Sequence, residues 1–188
     1  FSIEILLTFE SPRLYKNYEN LFSPALEDRN ILSAGTTNRF INVVYENWEN
    51  DFRYASNWRS NGGKSYPVFL KYADITSNIN RNFRYTVSGM RISEMYLIAS
   101  ECETDQTKAL VYLNELRKNR NCDILASATG LLDNIKKEYR KEFYGEGQLW
   151  YYYKRNDNRT INGATTTNKS VPVESYTFPI PQSETDPR

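Results

Sequence analysis

Residues 91–120 read RISEMYLIASECETDQTKALVYLNELRKNR, and this stretch decides the fold. Ile92, Met95, Ala99 and Cys102 recur three and four apart, the spacing of one helical face. Thr104 or Asp105 suits the start of a second helix, because a short polar side chain accepts the N–H groups that a first turn leaves unpaired. In that helix Ala109, Leu113, Leu116 and Arg120 return at helical spacing, Leu110 widens the stripe, and Asn119 to Asp123 end it. With so few residues between them, the two helices must run antiparallel as a hairpin.

Downstream, a third helix is expected from Thr129 or Gly130. Leu131, Ile135, Tyr139 and Phe143 lie four apart on one face, and Lys136, Lys137, Arg140 and Lys141 are expected mostly on the solvated side. Gly145 is placed to close this helix in a left-handed conformation. Leu149 to Tyr153 forms a short fourth helix, Asn156 to Lys169 a polar loop, and the prolines of Phe178-Pro179-Ile180-Pro181 favour an extended segment lying on the helices. Upstream, residues 10–88 lack periodicity and carry turn signals at Ser11-Pro12, Ser23-Pro24, Gly35 and Asn61-Gly62-Gly63, which predicts long structured loops with short helices or strands. Phe1 to Phe9 alternates apolar and polar residues and reads as a short buried strand. A chain that opens in a buried strand without Met or a leader pattern is expected to be part of something longer. The fold class is therefore mainly α, built of tetratricopeptide-like helix pairs with long ordered loops and minor β at the N-terminal end. The chain is one domain: 1–88 loop-rich, 89–155 helical hairpins, 156–188 an extended C-terminal segment.

Composition excludes several functions. The 188 residues carry 24 Lys plus Arg against 23 Asp plus Glu, a net charge of +1, which does not suit a nucleic-acid binder working through a positive field. Histidine is absent, removing the commonest general base, the commonest zinc ligand and any His-based triad. Cys102 and Cys122 have neither metal nor redox spacing, and Cys102, inside a helical pattern, is expected as a buried free thiol. No cofactor, metal or catalytic residue is expected.

Aromatics make up 14% of the chain, with 15 Tyr. Trp48, Tyr54, Trp58 and Tyr66 lie in the loop-rich half beside Asn47, Asn50, Asn57, Arg59 and Asn61. A flat ring against a sugar's C–H face and planar amides for its hydroxyls suit a carbohydrate, so these four are the ligand-binding candidates. Each ring could instead pin a long loop. Glu138, Glu142 and Glu146 are successive turns of one helix. Neighbouring carboxylates on one helix project side by side and cannot flank a bond from opposite sides, so they read as structural ion pairs with partners such as Arg91, Arg140 and Arg155, and not as a glycosidase pair. Trp150 and Tyr151 to Tyr153 point all round a helix, so at least two must pack inside, the others serving burial at core or interface.

The same residues carry a resemblance. Arg91 to Cys102 is similar to the "R-x-x-E-x-Y-L-I-x-A-E-A" helix of the SusD/RagB family, and Ala109 to Arg117 to its "A-x-x-x-L-N-x-x-R" helix. Glu138-Tyr139-Arg140-Lys141-Glu142-Phe143-Tyr144-Gly145-Glu146-Gly147 resembles "E-R-R-x-E-F-x-G-E-G", with Lys154-Arg155 where "D-L-x-R" is usual, and Phe178 to Glu184 resembles "L-P-I-P-x-x-E". Asp51-Phe52-Arg53 and Phe69-Leu70-Lys71-Tyr72 stand where "D-x-R" and "x-x-K-Y" occur. The motifs keep the family's order over roughly residues 45–184. The resemblance implies a non-enzymatic, lipid-anchored protein on the outer membrane of Bacteroidetes, which captures glycans or other nutrients for a SusC-like TonB-dependent transporter. It implies that this chain is the C-terminal portion and that the lipid anchor lies outside it. The alternatives are a module that docks the transporter while ligand is held elsewhere, and a carbohydrate-active enzyme using the three glutamates.

Overall fold

The computed structural model describes residues 4–32, 41–46, 48–74, 84–161 and 170–177. The expected turn at Gly35, Asn47 and the Phe178-Pro179-Ile180-Pro181 segment lie outside them. The described chain is mainly helical with two small antiparallel sheets. β1 (Ile5–Glu10) is followed by α1 (Leu14–Leu21), a π-type turn at Ile41–Tyr45, and α2 (Phe52–Asn57). β2 (Trp58–Arg59) pairs with β3 (Val68–Phe69), and β4 (Thr86–Arg91) leads directly into α3 (Ile92–Cys102). α4 (Gln106–Asn119), α5 (Leu131–Glu142), α6 (Leu149–Arg155) and a 3-10 turn at Val173–Tyr176 complete it.

α3 and α4 form the expected hairpin. Asp105 caps α4, its carboxylate accepting from the backbone N–H groups of Thr107 and Lys108. Asn121 closes α4 in the left-handed conformation (φ 58°), with Cys122 N–H donating to the Arg117 carbonyl and Asn121 N–H to that of Lys118. That is a Schellman ending with Asn in the position glycine usually takes. Ala109, Leu113 and Leu116 meet Leu97 from α3 and Leu131, Ile135, Tyr139 and Phe143 from α5 in the main core, which Tyr152 and Tyr153 of α6 close. The four-apart face predicted for α5 is the buried one.

Four expectations are corrected. α3 does not bury Met95 and Cys102; it buries Ser93, Leu97 and Ser100 and leaves Met95, Ile98 and Cys102 exposed. Ser93, Glu94, Ser100 and Glu101 fall together on one side of the helix, and it is the serine side around Leu97, not the stripe through Met95 and Cys102, that turns inward. Ser100 sits inside because a small side chain lets α4 approach and its hydroxyl donates to the Ala109 carbonyl at 2.8 Å. On α5, Arg140 and Lys141 are buried, not solvated: Lys141 is covered by the segment around Tyr45 and Asp51, and Arg140 lies with Tyr144 and Tyr153. β1 forms, but as the exposed partner of β4: Leu6 and Phe9 are each 58% exposed. Among the described residues no layer covers this two-stranded ribbon, so its side chains stay exposed. Finally Cys102 is exposed, whereas Cys122 is buried, and both are free thiols.

A second core lies under the loops. Tyr18, Phe22, Ile41, Val44, Tyr45, Trp58 and Phe69 pack together with Tyr144 against them. A third, small cluster holds Ile31, Tyr66 and Val68.

Candidate functional site

The turn Trp48–Asp51 leads into α2 and is seated on the end of α4. Trp48 N–H donates to the Tyr45 carbonyl, and Asp51 N–H to that of Trp48. The indole N–H of Trp48 donates to the Asn121 carbonyl at 2.8 Å, the Asn121 amide to the Asn50 carbonyl at 3.0 Å, and the Phe52 N–H to the Arg120 carbonyl at 3.1 Å. The left-handed Asn121 thus serves two purposes: it closes α4 and clasps the turn.

Beneath the turn is a buried ion cluster. Asp51 is 0% exposed; its carboxylate caps α2 by accepting from Arg53 N–H and is gripped on both oxygens by the Arg53 guanidinium. Arg53 continues to Glu138 at 2.7 Å and Glu142 at 3.2 Å. Glu138 also receives Arg117 (2.6 Å) and Lys141 (3.0 Å), and Glu142 receives Arg120 (3.0 Å), which clasps Glu4 with the same guanidinium. Four carboxylates, Glu4 included, thus face four cations, so the buried charge is compensated. Glu146 extends the row, pairing with Arg91 at 2.8 Å and with Lys71. The predicted ion-pair reading of the three glutamates holds, with Arg91 as one partner. Arg155 instead pairs with Glu101, and Arg53, Arg117, Arg120, Lys71 and Lys141 are partners that sequence reasoning missed.

The protonation states follow from this geometry. Burial alone would raise the Glu138 carboxyl, but Arg53, Lys141 and Arg117 outweigh it and hold it at about 2. Burial is likewise outweighed at Glu142, which the Arg53 and Arg120 guanidiniums hold well below the usual range. The Cys122 thiol, buried and 3.0 Å from Asp51, is pushed up to about 12 and stays protonated, donating to that carboxylate. Because the folded-state carboxyls titrate below their unfolded value of 4.5, the unfolded chain takes up protons first as pH falls. The cluster's contribution is present in full above about pH 4.5 and is lost as pH drops toward about 2. Melting temperature followed by circular dichroism should therefore be flat through neutral pH and fall steeply below about pH 4.5; a flat profile down to about pH 3 would contradict the cluster.

The aromatic candidates separate into two groups. Trp48 is 36% exposed, and Tyr54 is half-buried, meeting Tyr45 edge-on at 5.5 Å. Trp58 is 2% exposed, between Phe69 (5.1 Å) and Tyr144 (4.9 Å). Tyr66 is buried in the third cluster, donating its hydroxyl to Asp28. The structure thus brings Trp48 and Tyr54 to one turn, and places Trp58 and Tyr66 inside the cores behind it. It adds Phe52, 58% exposed. The signal was Asp51-Phe52-Arg53 at a helix start: Asp51 caps α2 and grips Arg53, both turned inward, which leaves the Phe52 ring outside. An open groove of about 520 Å³ lies elsewhere, lined by residues of α3–α5 such as Ser100, Glu101, Gln106, Leu131 and Asp133, with no aromatic ring.

No group of acidic or thiol side chains suited to a metal ion occurs among the described residues. Glu138, Glu142 and Glu146 are each covered by cations. A family model described as the SusD family matches residues 14–187, the span that holds every member of the ion cluster except Glu4. The chain belongs to the SusD family. No curated protein and no solved structure matched in the corresponding comparisons. SusD-family proteins are non-enzymatic binding proteins, and membership implies nutrient binding, glycans included, at the outer-membrane surface in partnership with a SusC-like transporter. Among the described residues no helix is long and apolar enough to cross a membrane.

Proposed function

We propose that this chain captures a glycan at the cell surface on the Trp48–Tyr54 turn and hands it to a SusC-like TonB-dependent transporter, the protein being held to the outer membrane by a lipid anchor outside residues 1–188. The supporting observation is the turn itself: Trp48 and Phe52 present rings to solvent on either side of the exposed Asn50, whose backbone carbonyl the Asn121 amide holds, while Asp51 and Arg53 lock the backbone from below. Rings held rigid before binding lose little freedom on contact, and amides pair with hydroxyls. Tyr54 borders the platform. Trp58 and Tyr66 serve it indirectly, by fixing the loops from within. Binding without bond breaking suits the absence of histidine and the cation-covered glutamates.

Calorimetric titration against a panel of oligosaccharides tests this. Trp48→Ala should weaken a confirmed ligand about 10–100-fold, the equivalent of losing one stacked ring, measured well below a melting temperature that the lost indole bond to Asn121 lowers modestly. Unaltered affinity would reject the turn as the site. A docking role with ligand held elsewhere is favoured by one observation, the exposed Met95 and Ile98 on α3; loss of transporter association with intact sugar binding on Met95→Glu would support it.

A further inference from the structure

The cations around the Trp48–Asp51 turn are nearly all spent. Arg53, Arg117 and Lys141 lie inside the ion cluster, Arg120 divides its guanidinium between Glu4 and Glu142, and Lys137 is paired with Glu46. Arg59, exposed beyond the far end of α2, is turned onto the Ser56 carbonyl, so among the described residues an acidic sugar at Trp48 and Phe52 meets no Arg fork of the kind that recognises carboxylate or sulfate. What it meets is Glu49, exposed at the crest of the turn between Trp48 and Asn50, with no ion pair among the described residues. Glu49 lies near enough to the Tyr54 hydroxyl that its charge, after burial, helps to keep that phenol protonated. A fixed negative charge therefore stands among the rings that would touch ligand. Lys118, exposed in the last turn of α4, is the cation of that helix end without a carboxylate partner among the described residues.

We infer that the platform selects uncharged sugars over uronate or sulfated ones, and that Glu49 is the specificity-determining residue that enforces the choice. The inference rests on the nutrient-binding reading of the same turn. An exposed carboxylate cannot exclude an anion by itself, since water and salt screen it. At about 5 Å in water two like charges repel enough for roughly a fourfold difference in affinity. That is a preference, and it requires the rings and amides to supply the affinity common to both sugars.

Matched pairs of probes isolate the charge: oligogalacturonate against its methyl ester, and glucuronoxylan oligosaccharides against plain xylo-oligosaccharides. Each is titrated into the whole chain at low and at high salt. The uncharged member of a binding pair is expected to bind about fourfold tighter at low salt, the gap closing at high salt, and in Glu49→Gln the ratio of the two affinities should fall to near one. Equal or tighter binding of the acidic member overturns the inference while leaving the nutrient site standing, and its loss in Lys118→Gln would identify the cation responsible. A preference that survives Glu49→Gln overturns the role of Glu49. If no member of any pair binds in a manner that Trp48→Ala weakens, the nutrient reading fails, and this inference with it.

Discussion

Glu138→Gln is expected to destabilise the protein by about 3–5 kcal/mol, the cost of leaving buried charge without its counter-charge. Glu138 is fully buried and is the one carboxylate that holds Arg53, Arg117 and Lys141 together. A glutamine fills the same volume, so no cavity complicates the result. Its amide, however, carries no charge and turns N–H donors toward groups that are themselves donors only. Urea unfolding followed by circular dichroism should show the midpoint moving sharply down at similar slope. Removing one of the stranded cations as well, in Glu138→Gln with Arg117→Leu, should recover part of the loss, since the two residues touch and their effects cannot add. A single-variant loss of less than about 1 kcal/mol would mean that the cluster is worth no more than a surface ion pair.

Gly145→Ala is expected to cost about 2–5 kcal/mol, from two separable causes. Gly145 has φ +74°, a conformation that costs a residue with a side chain about 1–2 kcal/mol. An added methyl would also lie 2.9 Å from the Phe69 ring and 3.1 Å from that of Phe22. Neither ring has room to yield: Phe69 is 2% exposed and contacts Phe22, Trp58 and Tyr144. Crowding of this kind costs about 1–3 kcal/mol. Gly147 supplies the control, because it has φ +79° but nothing within 4 Å of an added methyl. Gly147→Ala should show the backbone cost alone, and thermal unfolding of the two variants side by side measures the difference. Equal losses would remove the crowding argument.

These two positions mark what the sequence discloses and what it conceals. The spacing of Glu138, Glu142 and Glu146 puts them on one face, and the left-handed role of Gly145 is legible from its place after a helical run. What meets the glutamates is not legible: Arg53 lies 85 residues from Glu138, and no local pattern links them. Helix α5 is readable because it is apolar on one stripe and polar elsewhere. Helix α3 is not, because its apolar stripe through Met95 and Cys102 faces outward, and its inward face was chosen by the small Ser93 and Ser100 beside Leu97. Trp48 and Trp58 have similar neighbours along the chain, and only the packing of Phe69 and Tyr144 over Trp58 tells them apart. β1 could be read as a strand, but a strand's period says which side chains alternate and says nothing of whether a second layer covers them.

The alternation of Asp51 and Arg53 with their neighbours has a consequence for how such a surface can change its taste. The two residues that anchor the segment face inward, Glu49, Asn50 and Phe52 face outward or spend only backbone groups on their seat, and Trp48 alone does both, its indole N–H tied to Asn121. Trp48 apart, recognition and anchorage are thereby written in different letters of one short word. New cargo preferences can be tried by rewriting the outward letters, with the scaffold beneath left undisturbed.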